Sequence, residues 1–398
     1  MYASYLQQQV TAAQQKAAQD QAARQAQAQQ QAQQVAAQRI KAQRDAVKAA
    51  EKKDEERNLL EEDEGVGAGV EQDQFADYEP KKVKIGKRHP DQTVETSSMS
   101  AVPPPDPRYK LGLPRQLITS GLLSGLQLES IVYASMRHHL TLENGRNERA
   151  GFLLGDGAGI GKGRQIAGCV YENYIKGRKK SVWFSASADL AADAARDFAD
   201  IGASKIPIIN LPDEPYKELT PLLNRRRGSD HGVLFCTYSC LISGSRMKRI
   251  DQLAKWCGKD FEGCLVFDEC HKAKNLSPGK EQNSSRTARH VQSIQRQLPR
   301  ARVIYVSATG ASELTHMAYM DRLGLWGGTA YFKDAEQFIT EINKRGTGGM
   351  EMVAMDLKGR GVFIARTLSC EYRNGLPPRC RLTQTVAAHQ TAARSLTW

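Results

Sequence analysis

The residues best suited to chemistry start with a glycine-rich run, GDGAGIGKGR at residues 155–164, which lies between an apolar stretch and a helical pattern. Glycines let the backbone curl around phosphates with its N–H groups pointing inward, where a Cβ would obstruct the approach. Lys162 would then reach the β- and γ-phosphates. The spacing departs from G-x-x-x-x-G-K followed by Ser or Thr, because Asp156 takes the first glycine position and Gly163 the hydroxyl position. A glycine-rich surface turn is the alternative, and no frame reads as the dinucleotide fingerprint G-x-G-x-x-G.

A second constellation is LVFDECHKAKN at residues 265–275, where an apolar run ends in adjacent carboxylates. A strand ending there would put Asp268 and Glu269 at the rim of a parallel sheet, outside the carboxyl ends of the strands, where ligands bind. Asp268 would hold Mg²⁺ through water, and Glu269 would orient and deprotonate an attacking water. Alone, such a pair is usually a solvated strand end. With the glycine-rich run it predicts a nucleotide hydrolase, because phosphoryl transfer needs mainly positioning and charge stabilisation.

A third apolar run, in VIYVSATGASE at residues 303–313, ends in Ser307-Ala308-Thr309. Hydroxyls at the same rim would bridge the metal-binding carboxylates to a nucleic acid or an opposing domain and so couple turnover to motion. Taken in isolation, Ser-Ala-Thr is an ordinary helix N-cap.

The elements that must position these motifs alternate between strands and helices, which predicts an α/β fold with a doubly wound, mostly parallel sheet. Helices are expected at 162–175, with its dipole facing the phosphates, and at 190–201, with Asp189 as N-cap. The expected strands are 151–155, 181–186, 205–209, 232–237, 263–267 and 301–306.

The N-terminal part has a different composition from this core. Residues 1–60 are a Gln/Ala-rich low-complexity tail, expected to be a fluctuating helix or disordered, since it lacks a coiled-coil seam. Residues 61–107 read as a linker that carries a basic cluster at 81–88, either a nuclear-import signal or a solvated segment.

Charge and cysteine content restrict the class of protein. A formal net charge of +12 favours an anionic partner such as nucleic acid, without sequence specificity. The 8 cysteines include no C-x-x-C pair, which argues against a zinc ribbon and for reduced thiols. No apolar stretch reaches membrane-spanning length and the start lacks a secretion signal, so we expect an intracellular protein without membrane partners.

In this order D-x-x-G-x-G-K, D-E-C-H and S-A-T resemble motifs I, II and III of superfamily 2 helicase-like ATPases of the DExH type. The strings GFLLGDGAGIGKGR, VYENYIKGRKK, FDECHKAKN, VSATGASE with AYMDRLGLWG, and HPDQTVETSSMSAVPPPDP resemble the Strawberry Notch family, from about Lys81 to the C-terminus. This resemblance implies a RecA-like P-loop NTPase domain at 108–398, with ATP and Mg²⁺ as cofactors. It also implies a nuclear regulator of transcription or chromatin that acts on DNA, with transcription factors as further partners.

The resemblance carries functional roles over to individual positions. Gln127 would read the adenine edge, with a helix-surface glutamine as the alternative. Lys162, Asp268 and Glu269 would be catalytic, with Asp268 at the metal. His271, Ser307 and Thr309 would couple turnover to motion, although His271 is otherwise a polar loop residue. The remaining nucleotide-binding positions are Asp156, Gly157, Gly159, Gly161 and Gly163.

Two loops match positions that touch a nucleic-acid backbone in this superfamily, at Ser185 to Ser187 and at Thr237-Tyr238. Helix capping and a buried strand-end tyrosine explain them equally well.

Beyond Gly327, a helix is expected at 334–345, a break at 346–349, and packing of 361–366 on the core. No second RecA-like domain is recognised, so slow hydrolysis by this chain alone is expected, and a second motor domain would belong to a longer chain. A non-catalytic scaffold that recruits transcription factors is the alternative; Gly163 favours it, and Lys162, Asp268 and Glu269 oppose it.

Overall fold

The computed structural model describes residues 75–144, 146–214, 218–228, 230–242, 249–273, 285–308 and 317–369. The Gln/Ala-rich tail at 1–60 and Thr309 lie outside these ranges.

A seven-stranded parallel sheet forms the centre of the described chain, in the order β5-β6-β4-β7-β8-β3-β9. Its strands are nearly continuous apolar runs, as expected for a sheet covered on both faces. They are β3 (Phe152–Leu154), β4 (Lys180–Ser185), β5 (Ile208–Asn210), β6 (Gly232–Thr237), β7 (Cys264–Asp268), β8 (Arg302–Val306) and β9 (Phe363–Ile364). A second, three-stranded antiparallel sheet is built from β1 (Phe75–Asp77), β2 (Thr93–Thr96) and β10 (Thr367–Leu368).

Helices cover both faces of the parallel sheet and create two hydrophobic cores. They are α1 (Ser97–Ser100), α2 (Arg115–Ser120), α3 (Gly125–Arg137), α4 (Lys162–Ile175), α5 (Leu190–Asp200), α6 (Leu219–Arg227), α7 (Tyr238–Ile242), α8 (Arg249–Cys257), α9 (Arg286–Gln297), α10 (Ala335–Asn343) and α11 (Gly346–Gly359). One core contains apolar residues of α3, α4 and α5, among them Ile131, Ile166 and Phe198. The other contains residues of α8, α9 and α11, among them Leu253 and Ile294. No helix in the described ranges is long and apolar enough to cross a membrane.

The predicted doubly wound α/β architecture is confirmed, including each expected strand and the helix at 162–175. The strand expected at 205–209 begins later, at Ile208. Asp189 is the residue before α5, but its side chain makes no capping hydrogen bond, because its own backbone is already helical. The glycines at 346–349 do not prevent a helix: only Gly346 adopts a positive φ, and α11 starts there.

The expected linker at 61–107 is wrong for its described part, which is folded from Phe75 onward. Apolar residues interspersed among the charges anchor it, since Val83, Val94 and Met99 are buried. The Gly125 N–H donates to the Lys87 carbonyl (2.6 Å), so the basic cluster docks on the N-terminus of α3. A count of charged residues along the sequence does not show these few buried anchors.

Candidate functional site

Strand register brings the three predicted motifs to one rim of the sheet. Asp268, the last residue of β7, pairs with Val306 of β8, and Val306 pairs with Leu154 of β3. The Ser307 N–H then donates to the Leu154 carbonyl (3.0 Å). The glycine-rich loop, the Asp-Glu pair and the Ser-Ala-Thr motif therefore leave adjacent strands at the same level.

The glycine-rich loop needs glycine for its backbone conformation and for its contacts. Gly159 and Gly161 have φ values of +88° and +86°, in the left-handed region. A Cβ at Gly161 would lie 2.5 Å from Nε2 of Gln127, and one at Gly159 would lie 2.5 Å from a methyl carbon of Leu368. Helix α4 begins directly after this loop at Lys162, so the positive end of its dipole faces the space that the loop surrounds.

Lys162 is half-buried at the start of α4. Among the residues the structure describes, no acidic side chain forms an ion pair with it. Its ammonium group is thus available for an anion bound by the loop.

The nucleotide-binding role predicted for Asp156, at the first glycine position of the motif, needs correction, because its side chain lies beneath the loop and is fully buried. Its carboxylate accepts hydrogen bonds from Arg366 Nε (2.9 Å) and Nη2 (2.6 Å). Gln165 Nε2 also donates to it (2.9 Å). Asp156 therefore supports the loop from within and does not contact a nucleotide through its carboxylate.

Arg366 is the centre of this buried cluster and was not identified from the sequence. Its Nη1 also donates to Glu129 (3.0 Å), which accepts a further hydrogen bond from the Tyr78 hydroxyl (2.7 Å). Burial opposes the charged form, but the adjacent Asp156 outweighs it and raises the pKa of Arg366. Burial raises the pKa of Glu129, although Arg366 acts against it. An arginine at the end of GVFIAR gives no sequence signal for this role.

The segment around Arg366 also braces the loop through its backbone. The Gly155 N–H donates to the Ile364 carbonyl, and the Gly157 N–H donates to the Arg366 carbonyl, both at 2.7 Å. The expectation that 361–366 packs on the core is confirmed. In addition, the segment forms strand β9 and fixes one side of the phosphate loop.

The Asp268 carboxylate is held in place by three donors. The Glu269 N–H donates to Oδ1 (3.0 Å), while Ser185 Oγ (3.1 Å) and Trp183 Nε1 (3.4 Å) donate to Oδ2. Burial, and then the neighbouring Glu269, raise the pKa of Asp268 to about 6. An oriented carboxylate whose ionised form is poorly solvated is well placed to gain from a divalent cation.

Glu269 and His271 follow in a strained turn. Glu269 has a φ of +45°, an uncommon conformation for a residue with a long side chain. The His271 Nδ1 lies 3.1 Å from the Ser307 hydroxyl and 3.4 Å from a carboxylate oxygen of Glu269. The predicted coupling residues His271 and Ser307 are thus in contact, and they connect the second motif to the third.

Gln127 lies at the N-terminus of α3 and is buried, which excludes a helix-surface glutamine. Its Oε1 accepts a hydrogen bond from the Ser124 N–H (3.0 Å), and its Nε2 donates to the Ile160 carbonyl (2.9 Å) in the phosphate loop. In this arrangement Gln127 ties α3 to the loop. Its expected contact with adenine stays a prediction.

In the two segments predicted to contact nucleic acid, Ser185, Thr237 and Tyr238 make internal hydrogen bonds, whereas Ser187 is partly exposed. Ser185 is fully buried and donates to Asp268, so its hydroxyl does not face solvent. Tyr238 is buried, stacks against Phe184 and donates to the Asp268 carbonyl (2.8 Å). Thr237 Oγ1 accepts from the Cys240 N–H (3.2 Å). For Ser185, Thr237 and Tyr238, structural roles explain the side chains.

The donor set fits Mg²⁺ that arrives with a nucleotide. Carboxylate oxygens are the ligands this ion prefers, and one or two of them suffice when phosphates and waters supply the rest. Within the described ranges, no group of three or more His, Cys, Asp or Glu side chains converges to hold a metal by itself. Asp268 is the residue placed to hold Mg²⁺ beside the phosphate loop.

Comparison with known proteins agrees with this geometry. A family model described as P-loop containing NTP hydrolase pore-1 matches residues 88–385. Protein strawberry notch of Drosophila melanogaster is 54% identical over 301 residues, covering 74% of this chain and 18% of that protein. Protein strawberry notch homolog 1 of Homo sapiens is 52% identical over 301 residues, covering 74% of this chain and 21% of that protein. Protein FORGETTER 1 of Arabidopsis thaliana is 50% identical over 311 residues, covering 78% and 23%.

Solved structures show weaker similarity. The Sulfolobus solfataricus SWI2/SNF2 ATPase core in complex with dsDNA has a TM-score of 0.40 and 17% identity, covering 61% of this chain and 44% of that one. The chain spans about a fifth of the length of the curated relatives it matches. From the family model and these relatives, the chain belongs to the Strawberry Notch family and contains a P-loop NTP hydrolase domain.

Proposed function

We propose that this chain binds and hydrolyses ATP with Mg²⁺, as the first motor domain of a nuclear Strawberry Notch-like regulator of transcription or chromatin that acts on DNA. The observation that carries the proposal is the register of β7, β8 and β3, which brings the phosphate loop, Asp268-Glu269 and Ser307 to one rim. Those are the parts that phosphoryl transfer requires from one side of a nucleotide site.

Each residue has a distinct task in this proposal. The backbone N–H groups of residues 158–161 surround the phosphates, since those of Gly155 and Gly157 already donate to the Ile364 and Arg366 carbonyls. Lys162 neutralises the β- and γ-phosphates. Asp268 would hold Mg²⁺, which neutralises charge on the phosphates when bound. Glu269 orients a water and accepts its proton, and His271 transmits the state of the site to Ser307 and the third motif.

Action on nucleic acid is supported by the net charge of +12, which favours phosphate backbones. The buried positions of Ser185 and Tyr238 mean that any backbone contact must come from other residues. A fluorescence anisotropy titration with a DNA duplex tests this point. Binding that weakens at least tenfold, by rough estimate, between about 50 and 200 mM salt supports it, whereas absence of binding at low salt contradicts it.

A non-catalytic scaffold is the second candidate. Gly163 favours it, because the usual hydroxyl ligand is missing. The ordered Asp268 carboxylate, a Lys162 without an ion pair among the described residues, and the His271–Ser307 contact oppose it, since a scaffold needs none of them.

A calorimetric titration of the full chain with ATP and Mg²⁺ tests the proposal. Wild-type protein is expected to bind in the micromolar to millimolar range, and Lys162→Ala to abolish binding. Lys333→Ala, at an exposed position, is the matched control and should bind as the wild type does. Folded wild-type protein that binds no ATP would leave the scaffold as the better account.

A further inference from the structure

The space beside Gly163, where relatives in the superfamily place a hydroxyl side chain, is filled by another residue. A Cβ built on Gly163 would lie 2.0 Å from Oδ2 and 2.9 Å from Cγ of Asp197. No real pair of atoms tolerates the shorter distance, so a side chain at position 163 and the carboxylate of Asp197 exclude each other. A carboxylate oxygen of Asp197, which belongs to helix α5, therefore occupies the space that a side chain at position 163 would take.

Helix packing holds Asp197 in this place. Helix α5 lies against α4, with Ala194 and Phe198 buried on either side of Asp197 in the sequence. One turn further along, Arg164 Nη2 and Asp200 Oδ2 form a salt bridge at 2.6 Å. This bridge and the buried apolar residues fix the register between the helices and keep Asp197 opposite Gly163.

The Asp197 carboxylate has no partner of its own in the described ranges. Its neighbours are already paired, Arg164 with Asp200 and Arg196 with Asp193. Burial raises the pKa of Asp197 to about 6, with Arg164 opposing and Asp200 adding to the effect. Asp197 is thus a half-buried carboxylate without a salt bridge in the described ranges, beside the residue that follows Lys162.

We propose that the Asp197 carboxylate replaces the hydroxyl missing at Gly163 as the protein oxygen that faces the divalent cation of a bound nucleotide, directly or through one water. The inference rests on the proposed Mg²⁺-ATP site and adds a second carboxylate to Asp268. Magnesium at nucleotide sites is bound by one or two carboxylates together with phosphates and waters, so this pair is sufficient. Gly163 is then a requirement of the site, because a side chain there would displace Asp197.

The test compares ATP affinity with Mg²⁺ and with EDTA for Asp197→Asn, which keeps the shape and removes the charge. The affinity for ATP with Mg²⁺, divided by the affinity with EDTA, is expected to fall about tenfold, as for other residues that order the ligands of a metal. Without metal the variant should bind ATP at least as tightly as the wild type, since a negative charge near the phosphates is gone. Asp189→Asn, at an exposed position just before the same helix, is the control and should leave the ratio unchanged.

A metal spectrum and a rescue variant give readouts that would not change if Asp197 had only a structural role. The Mn²⁺ electron paramagnetic resonance spectrum of the wild-type complex with ATP should change in Asp197→Asn and not in Asp189→Asn. Gly163→Ser alone should weaken Mg²⁺-dependent binding through the clash, and Gly163→Ser with Asp197→Ala should restore it. Thermal unfolding of each variant verifies that it is folded.

The outcomes separate the two proposals. Wild-type protein that binds no ATP overturns the nucleotide site and this inference together. Wild-type protein that binds Mg²⁺-ATP, with Asp197→Asn showing an unchanged metal ratio and Mn²⁺ spectrum, overturns the role of Asp197 alone.

Discussion

At the scale of single residues, burial disfavours the ionised forms of two carboxylates, Asp268 and Asp197. Asp268 accepts three hydrogen bonds and still has a raised pKa, because burial and Glu269 disfavour its charge. The pKa of Asp197 is also raised, and burial is again the main cause. In the proposed function, binding of Mg²⁺-ATP beside these groups would stabilise the folded chain, because a ligand that binds only the folded state raises its stability.

This arrangement predicts a pH-dependent stability difference between the wild type and Asp268→Asn. The pKa of the Asp268 carboxyl is 3.8 in the unfolded chain and about 6 in the folded protein. Its contribution to the free energy of unfolding is therefore fully present below pH 3.8 and is lost as the pH rises through about 6. Without metal, the wild type should lose up to about 2 kcal/mol relative to the variant between roughly pH 4 and 7. Urea unfolding at several pH values measures this, with Asp189→Asn as an exposed control. A constant difference across that range would contradict it.

Gly161 gives a second test, because another glycine has the same backbone conformation without the contact. Gly161 and Gly177 have φ values of +86° and +88°, but only Gly161 has a neighbour, Nε2 of Gln127, at 2.5 Å from an added Cβ. Both alanine variants should lose roughly 1–2 kcal/mol from backbone strain. Gly161→Ala should lose about 1 kcal/mol more, since Gln127 must give up its hydrogen bond to Ile160.

Calorimetry and unfolding together measure the effect. Gly161→Ala should also weaken ATP binding, whereas Gly177→Ala should not. Equal effects of the two variants on both stability and binding would show that the loop does not depend on its contact with Gln127.

At the scale of elements, the phosphate loop is held between α3 and the β9–β10 segment. Gln127 ties it to α3, and Arg366 ties it to the C-terminal segment through Asp156. The rigidity of the loop therefore depends on contacts between parts of the chain that are far apart in sequence.

Removing the Arg366 guanidinium from the buried cluster should destabilise the protein strongly. In Arg366→Met the buried carboxylates of Asp156 and Glu129 lose their partner, at a cost of about 3–5 kcal/mol. Arg196→Met breaks only an exposed pair with Asp193 and should cost at most about 1 kcal/mol. Urea unfolding compares the two variants. Equal, small losses would mean that the buried cluster does not stabilise the loop.

At the scale of the whole molecule, the sheet and the three motifs at its rim could be predicted from sequence, because apolar runs ending in Gly, Asp-Glu or Ser have a strong local pattern. The buried cluster around Arg366 could not be predicted, since Asp156 and Arg366 lie 210 residues apart. The glycine-rich run around Asp156 predicts a phosphate loop but no buried partner for its carboxylate. Asp197 was missed for the same reason: only the packing of α5 on α4 places its carboxylate at Gly163. Ser185 and Tyr238 carried motif-like signals, yet their side chains are used internally.

The chain spans about a fifth of its curated relatives, so the activity, targets and partners of a whole Strawberry Notch protein are proposals here. In the proposed function, the described residues form one side of a nucleotide site, with a phosphate loop, Lys162, two carboxylates and the contact between His271 and Ser307.

Hydrogen exchange of the full chain, with and without saturating ATP and Mg²⁺, tests this account most directly, because it reports where the nucleotide binds. Slower exchange is expected for the backbone amides at 157–163 and at 268–271, with α11 unchanged as an internal control. Unchanged exchange at 157–163 in the presence of ATP, or protection confined to another region, would contradict it.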